Sequence, residues 1–125
     1  MKWLLRYVKG TVDQGIVFHK TGGSRLQLTV FSDADMTGDI DGWQSTSGVL
    51  IFLGSAPILW LSLKQKVVAL STCEAEYMAA ATAVCQAVWL RRLLGELTGV
   101  EAHPPTLMML IRSYDYSLKA THIHL

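Results

Sequence analysis

Two acidic residues of this 125-residue chain have types and positions that suit metal chemistry. Asp33 follows an alternating apolar stretch, where a strand would end, and Glu76 lies near the start of the longest helix-forming segment. Carboxylates brought together repel each other unless a divalent cation lies between them. A pair of magnesium ions held between acids can activate a water and stabilise the leaving oxygen in phosphodiester cleavage. The structural alternative is that Asp33 ends a strand and Glu76 is a solvated first-turn acid favoured by the helix dipole.

The segment that must position Glu76 covers residues 71–97 and is predicted to form one long helix. Ser71 and Glu74 have the spacing of a capping box, in which each side chain accepts a hydrogen bond from the other residue's amide. Much of the helix is smooth and apolar, which is typical of a helix pressed closely against a sheet. The residues responsible are five alanines: Ala79, Ala80, Ala81, Ala83 and Ala87. Glu76 lies about 200° around the helix from Glu74, so the two carboxylates face different directions. The capping role of Glu74 therefore gives no reason for an acid at position 76.

The segment that must position Asp33 is a predicted strand at residues 26–32, in which apolar and polar residues alternate. If the strand continues, its parity places Asp33 and Asp35 on the face of Phe31. Residues 47–53 and 58–62 are predicted to form a hairpin of two further strands.

Three other segments complete the predicted order of elements. Residues 2–9 have the pattern of an amphipathic helix that Gly10 ends, and residues 15–19 are a short strand candidate. Residues 106–111 (TLMMLI) have the continuous apolar pattern of a buried, parallel strand. Antiparallel strands, a crossover helix and a parallel strand together predict an α/β mixed sheet with helix cover.

The composition predicts a single intracellular domain. Half of the residues are hydrophobic and 17% are charged, which argues against disorder, and the net charge of +1 gives no global case for nucleic acid or a membrane. The two cysteines, Cys73 and Cys85, would lie about 18 Å apart on one helix, so no disulfide within the chain is expected. Reduced thiols are typical of an intracellular protein. The longest weakly polar stretch, residues 78–90, is too short to span a bilayer.

The chain also contains several longer motifs: Asp33-Ala-Asp35 with Gly38-Asp39, Ser45-Thr46-Ser47-Gly48, Trp60, Gln65, residues 71–79 (STCEAEYMA) and residues 89–94 (WLRRLL). Together these motifs closely resemble the ribonuclease H domain of copia-type retrotransposon Pol polyproteins. Residues 6–11 (RYVKGT) resemble the segment just upstream, which ends the reverse transcriptase region. The resemblance implies a reverse transcriptase remnant at residues 1–12, a ribonuclease H-like domain at residues 13–111 and a divergent tail at residues 112–125.

The resemblance implies a ribonuclease H-like fold and a site in which acids and magnesium ions cut the RNA strand of an RNA–DNA hybrid. The family uses four acids; the first matches Asp33, and the second matches Glu76, with Glu74 as the less favoured choice. Asp35 belongs to the same motif as Asp33, and we expect Asp35 and Glu74 to support the site rather than bind the metal. The cofactor implied is magnesium, and the partner implied is the hybrid.

The chain departs from the family pattern where the remaining acids are expected. The third acid should begin an Asp-Asn pair after the long helix, but that place holds Leu110-Ile111. The fourth should follow a Lys-His-Ile triplet, but the similar run Thr121-His122-Ile123 is followed by His124. Asp115 has neighbours that do not match the third-acid motif. Two carboxylates supply too little charge and too few ligands to hold two magnesium ions rigidly.

These departures predict a degenerate, truncated copy that keeps much of the fold, with its C-terminal part incomplete, and has lost hydrolysis. A non-catalytic nucleic-acid binding module and an inert fragment remain as alternatives. A basic track of Lys64, Lys66, Arg91 and Arg92 would hold phosphates in the first of these, although the same residues would also form an ordinary solvated rim. The missing end of the fold is expected to leave apolar surface uncovered, which favours self-association.

Two further interpretations concern aromatic residues and histidines. Trp43, Trp60 and Trp89 are predicted to belong to the core rather than to a base-stacking surface. His122 and His124 are predicted to lie in a disordered tail, because two histidines do not complete a zinc site.

Overall fold

The computed structural model describes residues 2–18, 27–36, 42–100, 103–112 and 118–124, with the backbone alone for 110–112 and 118–124. The elements, in chain order, are α1 (Lys2–Gly10), β1 (Leu28–Asp35), β2 (Thr46–Leu53), β3 (Ala56–Lys64), α2 (Thr72–Thr98), β4 (Thr106–Arg112) and β5 (Leu118–His124). No helix in these ranges is long and apolar enough to cross a membrane.

The strands form one five-stranded mixed sheet in the order β3-β2-β1-β4-β5. The neighbours β1–β2, β2–β3 and β4–β5 are antiparallel, whereas β1 and β4 are parallel. The predicted hairpin is confirmed: β2 and β3 are joined by a turn in which Gly54 has a φ of 61°, a value that glycine adopts at little cost. This architecture confirms the predicted mixed sheet and is consistent with the ribonuclease H-like fold that the resemblance implies.

The strand β1 shows the alternation that its sequence predicts. Leu28, Val30 and Ser32 are buried, while Asp33 and Asp35 are exposed. Because β1 continues to Asp35, both acids share the parity of Phe31, as predicted.

The helix α2 begins after the N-cap Ser71, whose Oγ accepts a hydrogen bond from the Glu74 amide at 3.1 Å. It ends at Gly99, which has the left-handed conformation common at helix ends. The predicted capping box differs in its second bond, because the Glu74 carboxylate accepts from the amide of Leu70 at 2.7 Å rather than from that of Ser71. Either bond satisfies an amide near the helix start, so the function of the acid is retained.

The alanines of α2 let it pack closely on the sheet, as predicted. The buried residues of the helix are Ala75, Glu76, Ala79, Ala80, Ala83, Ala87 and Leu90. They lie over the buried side chains of β1, β2 and β4, among them Val30, Ile51 and Leu107. We call this side of the sheet the covered face and the opposite side the open face.

The open face carries the other half of each strand's residues. Phe31 pairs with Leu50 on β2 and with Met108 on β4, and Leu50 pairs with Trp60 on β3. Paired residues share a face of a sheet, so these side chains form a row across four strands. In the described part of the chain, α2 is the helix that contacts the sheet, and no helix contacts the open face.

Two predictions about secondary structure are wrong. Residues 15–18 form no strand, and His19 lies outside the described residues. The central strand β1 pairs with β2 on one side and with β4 on the other, so no edge of β1 is available for residues 15–18 to pair with. The tail was predicted to be disordered, but residues 118–124 pair along β4 as β5. An unpaired strand edge recruits a partner through its backbone groups, without requiring a hydrophobic period in the partner.

The prediction that three tryptophans belong to the core is also wrong. Trp43, Trp60 and Trp89 are all exposed. Trp60 lies on the open face, and Trp89 lies on the solvent side of α2. Trp43 lies before β2 and has itself a φ of 53°. The cysteines agree with the prediction, since Cys73 and Cys85 are both free thiols.

Candidate active site

Asp33 lies near the end of β1, beside a shallow hollow in the sheet. It pairs with Gly48 on β2, which has no side chain to fill the space next to it. The hollow has a volume of about 240 Å³ and is lined by Phe31, Ser32, Asp33, Gly48, Val49, Leu50 and Leu61. Asp33 is therefore an exposed acid at the margin of a mostly apolar depression.

Glu76 lies in the second turn of α2, and its surroundings differ from those of Asp33. It is 5% exposed, and its Oε2 atom is fully buried. The structural alternative, in which Glu76 is a solvated first-turn acid, is therefore wrong. A buried carboxylate is costly unless it is paired, hydrogen-bonded or bound to a metal, so its retention in the core requires compensating contacts.

A group of buried polar residues lies where β2 and β3 approach the start of α2. The Nε2 atom of Gln65 donates to Ser47 Oγ and to the carbonyl of Ala75, both at 2.9 Å. The backbone amide of Gln65 donates to the carbonyl of Ser45 at 2.8 Å. These bonds join the sheet to the first turn of α2 and so fix the place of Glu76, one residue after Ala75.

This group explains motif residues to which the sequence assigned no function. Ser45, Ser47 and Gln65 carry the family resemblance, and the structure gives the side chains of Ser47 and Gln65 a structural role, whereas Ser45 contributes its backbone carbonyl. The signal available in the sequence was Gln65 itself, an uncharged polar residue between Lys64 and Lys66 just before a helix cap. The hydroxyls of Ser32 and Ser45 and the Oε1 of Gln65 are buried without a hydrogen-bond partner.

The relation between Asp33 and Glu76 follows from the faces they occupy. Strand alternation places Asp33 on the open face, whereas Glu76 belongs to the helix surface that packs on the covered face. Glu76 does not line the hollow beside Asp33. That the two carboxylates share a metal stays a prediction.

The strand register locates the position where a third acid is expected. Ser32 pairs with Met109 in the parallel register of β1 and β4, so Leu110 lies at the level of Asp33 on the adjacent strand. On its other side Leu110 pairs with Ala120 of β5. The position beside Asp33 on β4 is thus occupied by the apolar residue Leu110, and the next position, on β5, is occupied by the apolar residue Ala120.

The position expected for the fourth acid lies at the other end of the sheet. His124 pairs with Thr106, and Thr106 pairs with Thr29. Thr29 precedes Asp33 by four residues, a separation of about 13 Å along the strand. His124 is therefore remote from Asp33, and Asp115 lies outside the described residues.

Magnesium fits these residues poorly. Within the described ranges, no three His, Cys, Asp or Glu side chains lie close enough to hold a metal ion. Two-metal hydrolysis requires several acids around a pair of ions. The side chains that the structure describes do not form such a donor set.

The remaining candidates fall at separate places. Lys64 ends β3 and Lys66 follows it, close to the start of α2. Arg91 lies 19 residues after Thr72, so the arginine pair is about 28 Å farther along the helix. The four cations thus form two separate pairs rather than one compact patch.

The two supporting acids also lie apart. Asp35 is exposed at the end of β1, opposite Thr46 of β2. The carboxylate of Glu74 is engaged in capping α2. A capping role for Glu74 is therefore confirmed, and a supporting role for Asp35 stays a prediction.

Known proteins resemble the chain over most of its length. It is 44% identical over 107 residues to the retrovirus-related Pol polyprotein from transposon RE2 of Arabidopsis thaliana, which is 86% of this chain and 7% of the polyprotein. It is 46% identical over 97 residues to the Pol polyprotein from transposon TNT 1-94 of Nicotiana tabacum, which is 78% of this chain and 7% of that polyprotein.

A relative of another kind is the secreted RxLR effector protein 161 of Plasmopara viticola. It is 43% identical over 90 residues, which cover 72% of this chain and 62% of the effector. No protein-family model matches the sequence, and no solved structure matches it significantly.

The matches to the polyproteins extend over 86% and 78% of this chain. The chain spans only about 7% of the length of these curated relatives. The sequence matches therefore show that the chain belongs to the Pol polyproteins of copia-type retrotransposons, of which it corresponds to a short segment.

Proposed function

We propose that this chain is a retrotransposon-derived, ribonuclease H-like domain that no longer cleaves RNA in RNA–DNA hybrids. The observation that carries the proposal is the register of β1 and β4, which sets Leu110 at the level of Asp33. An isobutyl side chain neither ligates a cation nor adds negative charge, so the site is short of an acid at its centre.

The loss of ligands matters because this chemistry depends on placement. Two-metal hydrolysis needs ions held rigidly between acids, so that one activates the water and the other stabilises the leaving oxygen. Asp33 and Glu76 match two of the ancestral magnesium ligands, but Asp33 is exposed, whereas Glu76 is buried on the side of α2 that packs on the sheet. Neither the charge nor the geometry of such a pair supports hydrolysis.

Binding of a hybrid without cleavage is a second candidate function. It is supported by Trp60, which is exposed on β3 next to the strand end that carries Lys64, with Lys66 close by. An exposed aromatic ring stacks on bases, and lysines neutralise phosphates. Salt-dependent binding to a hybrid that is lost in the Lys64→Ala, Lys66→Ala variant would favour this function over an inert fragment.

The proposal is tested by incubating the purified chain with an end-labelled RNA–DNA hybrid in magnesium and, separately, in manganese. We expect no cleavage above that of the Asp33→Asn variant, which retains the shape of the acid and removes its charge. A circular dichroism melt of both proteins shows that the comparison is made on folded material. Cleavage by the unmodified chain that Asp33→Asn abolishes would overturn the proposal.

A further inference from the structure

The helix α1 is amphipathic and has no partner among the described residues. Its apolar side carries Trp3, Leu4, Tyr7 and Val8, all between 53% and 79% exposed. Leu5 extends this apolar side, and the charged residues of the helix are all basic. The helix α1 contacts neither the sheet nor α2. A helix of nine residues is marginal in water unless its apolar side packs on something. We therefore expect the apolar side of α1 to pack against another apolar surface.

The open face of the sheet is the complementary surface. The row of Phe31, Leu50, Trp60 and Met108, here called the aromatic row, crosses four adjacent strands. Three strand spacings amount to about 14 Å, and a nine-residue helix is about 13.5 Å long. Trp60 is 64% exposed, and the other members are half-buried. One helix laid along the row would cover it from end to end.

Charge favours the same pairing. Asp33 and Asp35 are exposed on the open face beside the aromatic row. The helix α1 carries Lys2, Arg6 and Lys9 and no acid. Opposite charges at the margin of an apolar contact fix its orientation and disfavour competing arrangements.

The connection between α1 and β1 is long enough for both surfaces to meet within one chain. Residues 11–27 number 17, and an extended segment of that length spans at most about 60 Å. Tethering through a connection of this length raises the effective concentration of the helix toward its own sheet. An intramolecular contact therefore prevails over the same contact between two chains at ordinary protein concentrations.

We propose that α1 folds back onto its own sheet and covers the aromatic row, with its basic side turned toward Asp33 and Asp35. This contact closes the open face and shields the hollow beside Asp33. Because it covers Trp60, the contact competes with the stacking of bases on that ring, and it does not depend on whether the chain cleaves a hybrid.

The test is photo-crosslinking in the full chain, with a benzophenone amino acid in place of Tyr7 on the apolar side of α1. A mixture of nitrogen-14 and nitrogen-15 chains distinguishes contacts within a chain from contacts between chains. We expect crosslinks to peptides of β1, β2 or β3 in products of a single isotope. The matched control carries the same group in place of Lys9, on the basic side, and should crosslink severalfold less. Equal yields, attachment to α2, or products of mixed isotope would overturn the proposal.

A second variant separates docking from folding. Trp60→Ser changes an exposed side chain, so the chain should keep its melting temperature while the crosslinking yield from position 7 falls severalfold. An unchanged yield would overturn the proposal. If Trp60→Ser does not fold, Asp33→Lys combined with Asp35→Lys serves instead, since it reverses the charge that faces α1. An unchanged yield in that variant would equally overturn the proposal.

Discussion

The two faces of the sheet differ in what their residues do. The covered face is filled by aliphatic side chains and the alanines of α2, and it includes Ile51 and Ala83, which are fully buried. The open face carries aromatic rings and acids that remain partly or fully exposed, such as Trp60 and Asp33. The motif residues that hold α2 on the covered face are intact, whereas the acid expected beside Asp33 is replaced by Leu110. On the function proposed above, one set of family residues retains the fold after another set has lost its chemistry.

The largest expected effect compares neighbouring residues of β2 on the two faces. Ile51→Ala empties a site in the core and should lower the free energy of unfolding by about 2–5 kcal/mol. Leu50→Ala removes a side chain of the same size from the half-buried open face and should cost less than half as much. Urea denaturation of both variants measures the difference. Equal losses would show that the open face is as well packed as the covered face.

The next effect concerns the closeness of α2 to the sheet. Ala83→Leu forces a large side chain into a fully buried position and should destabilise the fold by about 1–3 kcal/mol. Ala81→Leu adds the same side chain to the solvent side of the helix, where the expected change is within about 0.5 kcal/mol. Thermal melts followed by circular dichroism compare the two. A neutral Ala83→Leu variant would mean that α2 lies farther from the sheet than its alanines indicate.

The smallest effect sharpens the comparison within the covered face. Ser47→Ala removes the hydroxyl that accepts from Gln65 and should cost about 1 kcal/mol. Ser32→Ala removes a buried hydroxyl that has no hydrogen-bond partner, so it should be neutral or slightly stabilising. Urea denaturation is again the measurement. A greater loss for Ser32→Ala than for Ser47→Ala would show that the Ser32 hydroxyl has a partner, such as a buried water.

Local patterns in the sequence were sufficient to predict the main elements. Alternation over residues 26–32 gave the faces of β1, and the Ser71–Glu74 spacing gave the start of α2 to within one residue. These signals succeed because backbone geometry fixes which residues share a face and which amides need a cap. They need no knowledge of the rest of the chain.

Features that depend on distant neighbours were not predictable in this way. Trp60 was expected in the core because tryptophan is usually buried, but no helix in the described part of the chain contacts its face. The strand β5 has no periodic sequence of its own and forms because β4 offers an unpaired edge. The burial of Glu76 likewise depends on the contacts of Gln65 with the start of α2, which only the folded chain brings together.

The candidate site was predictable in part. The resemblance identified Asp33, Glu76 and the replacement of an acid by Leu110, and the register then set Leu110 at the level of Asp33. The faces on which Asp33 and Glu76 lie required the structure. The sequence places Glu76 on a helix, but the side of that helix that meets the sheet is decided by packing.

The central claim is that the acids near Asp33 no longer form a metal site. It is tested most directly by titrating manganese into the nitrogen-15-labelled chain and following amide signals by NMR, because manganese broadens signals close to where it binds. We predict that the amides of Asp33 and Glu76 lose no more intensity than that of Asp13, an exposed acid outside the site. Joint broadening of Asp33 and Glu76 at manganese concentrations that spare Asp13, abolished by Asp33→Asn, would contradict the account.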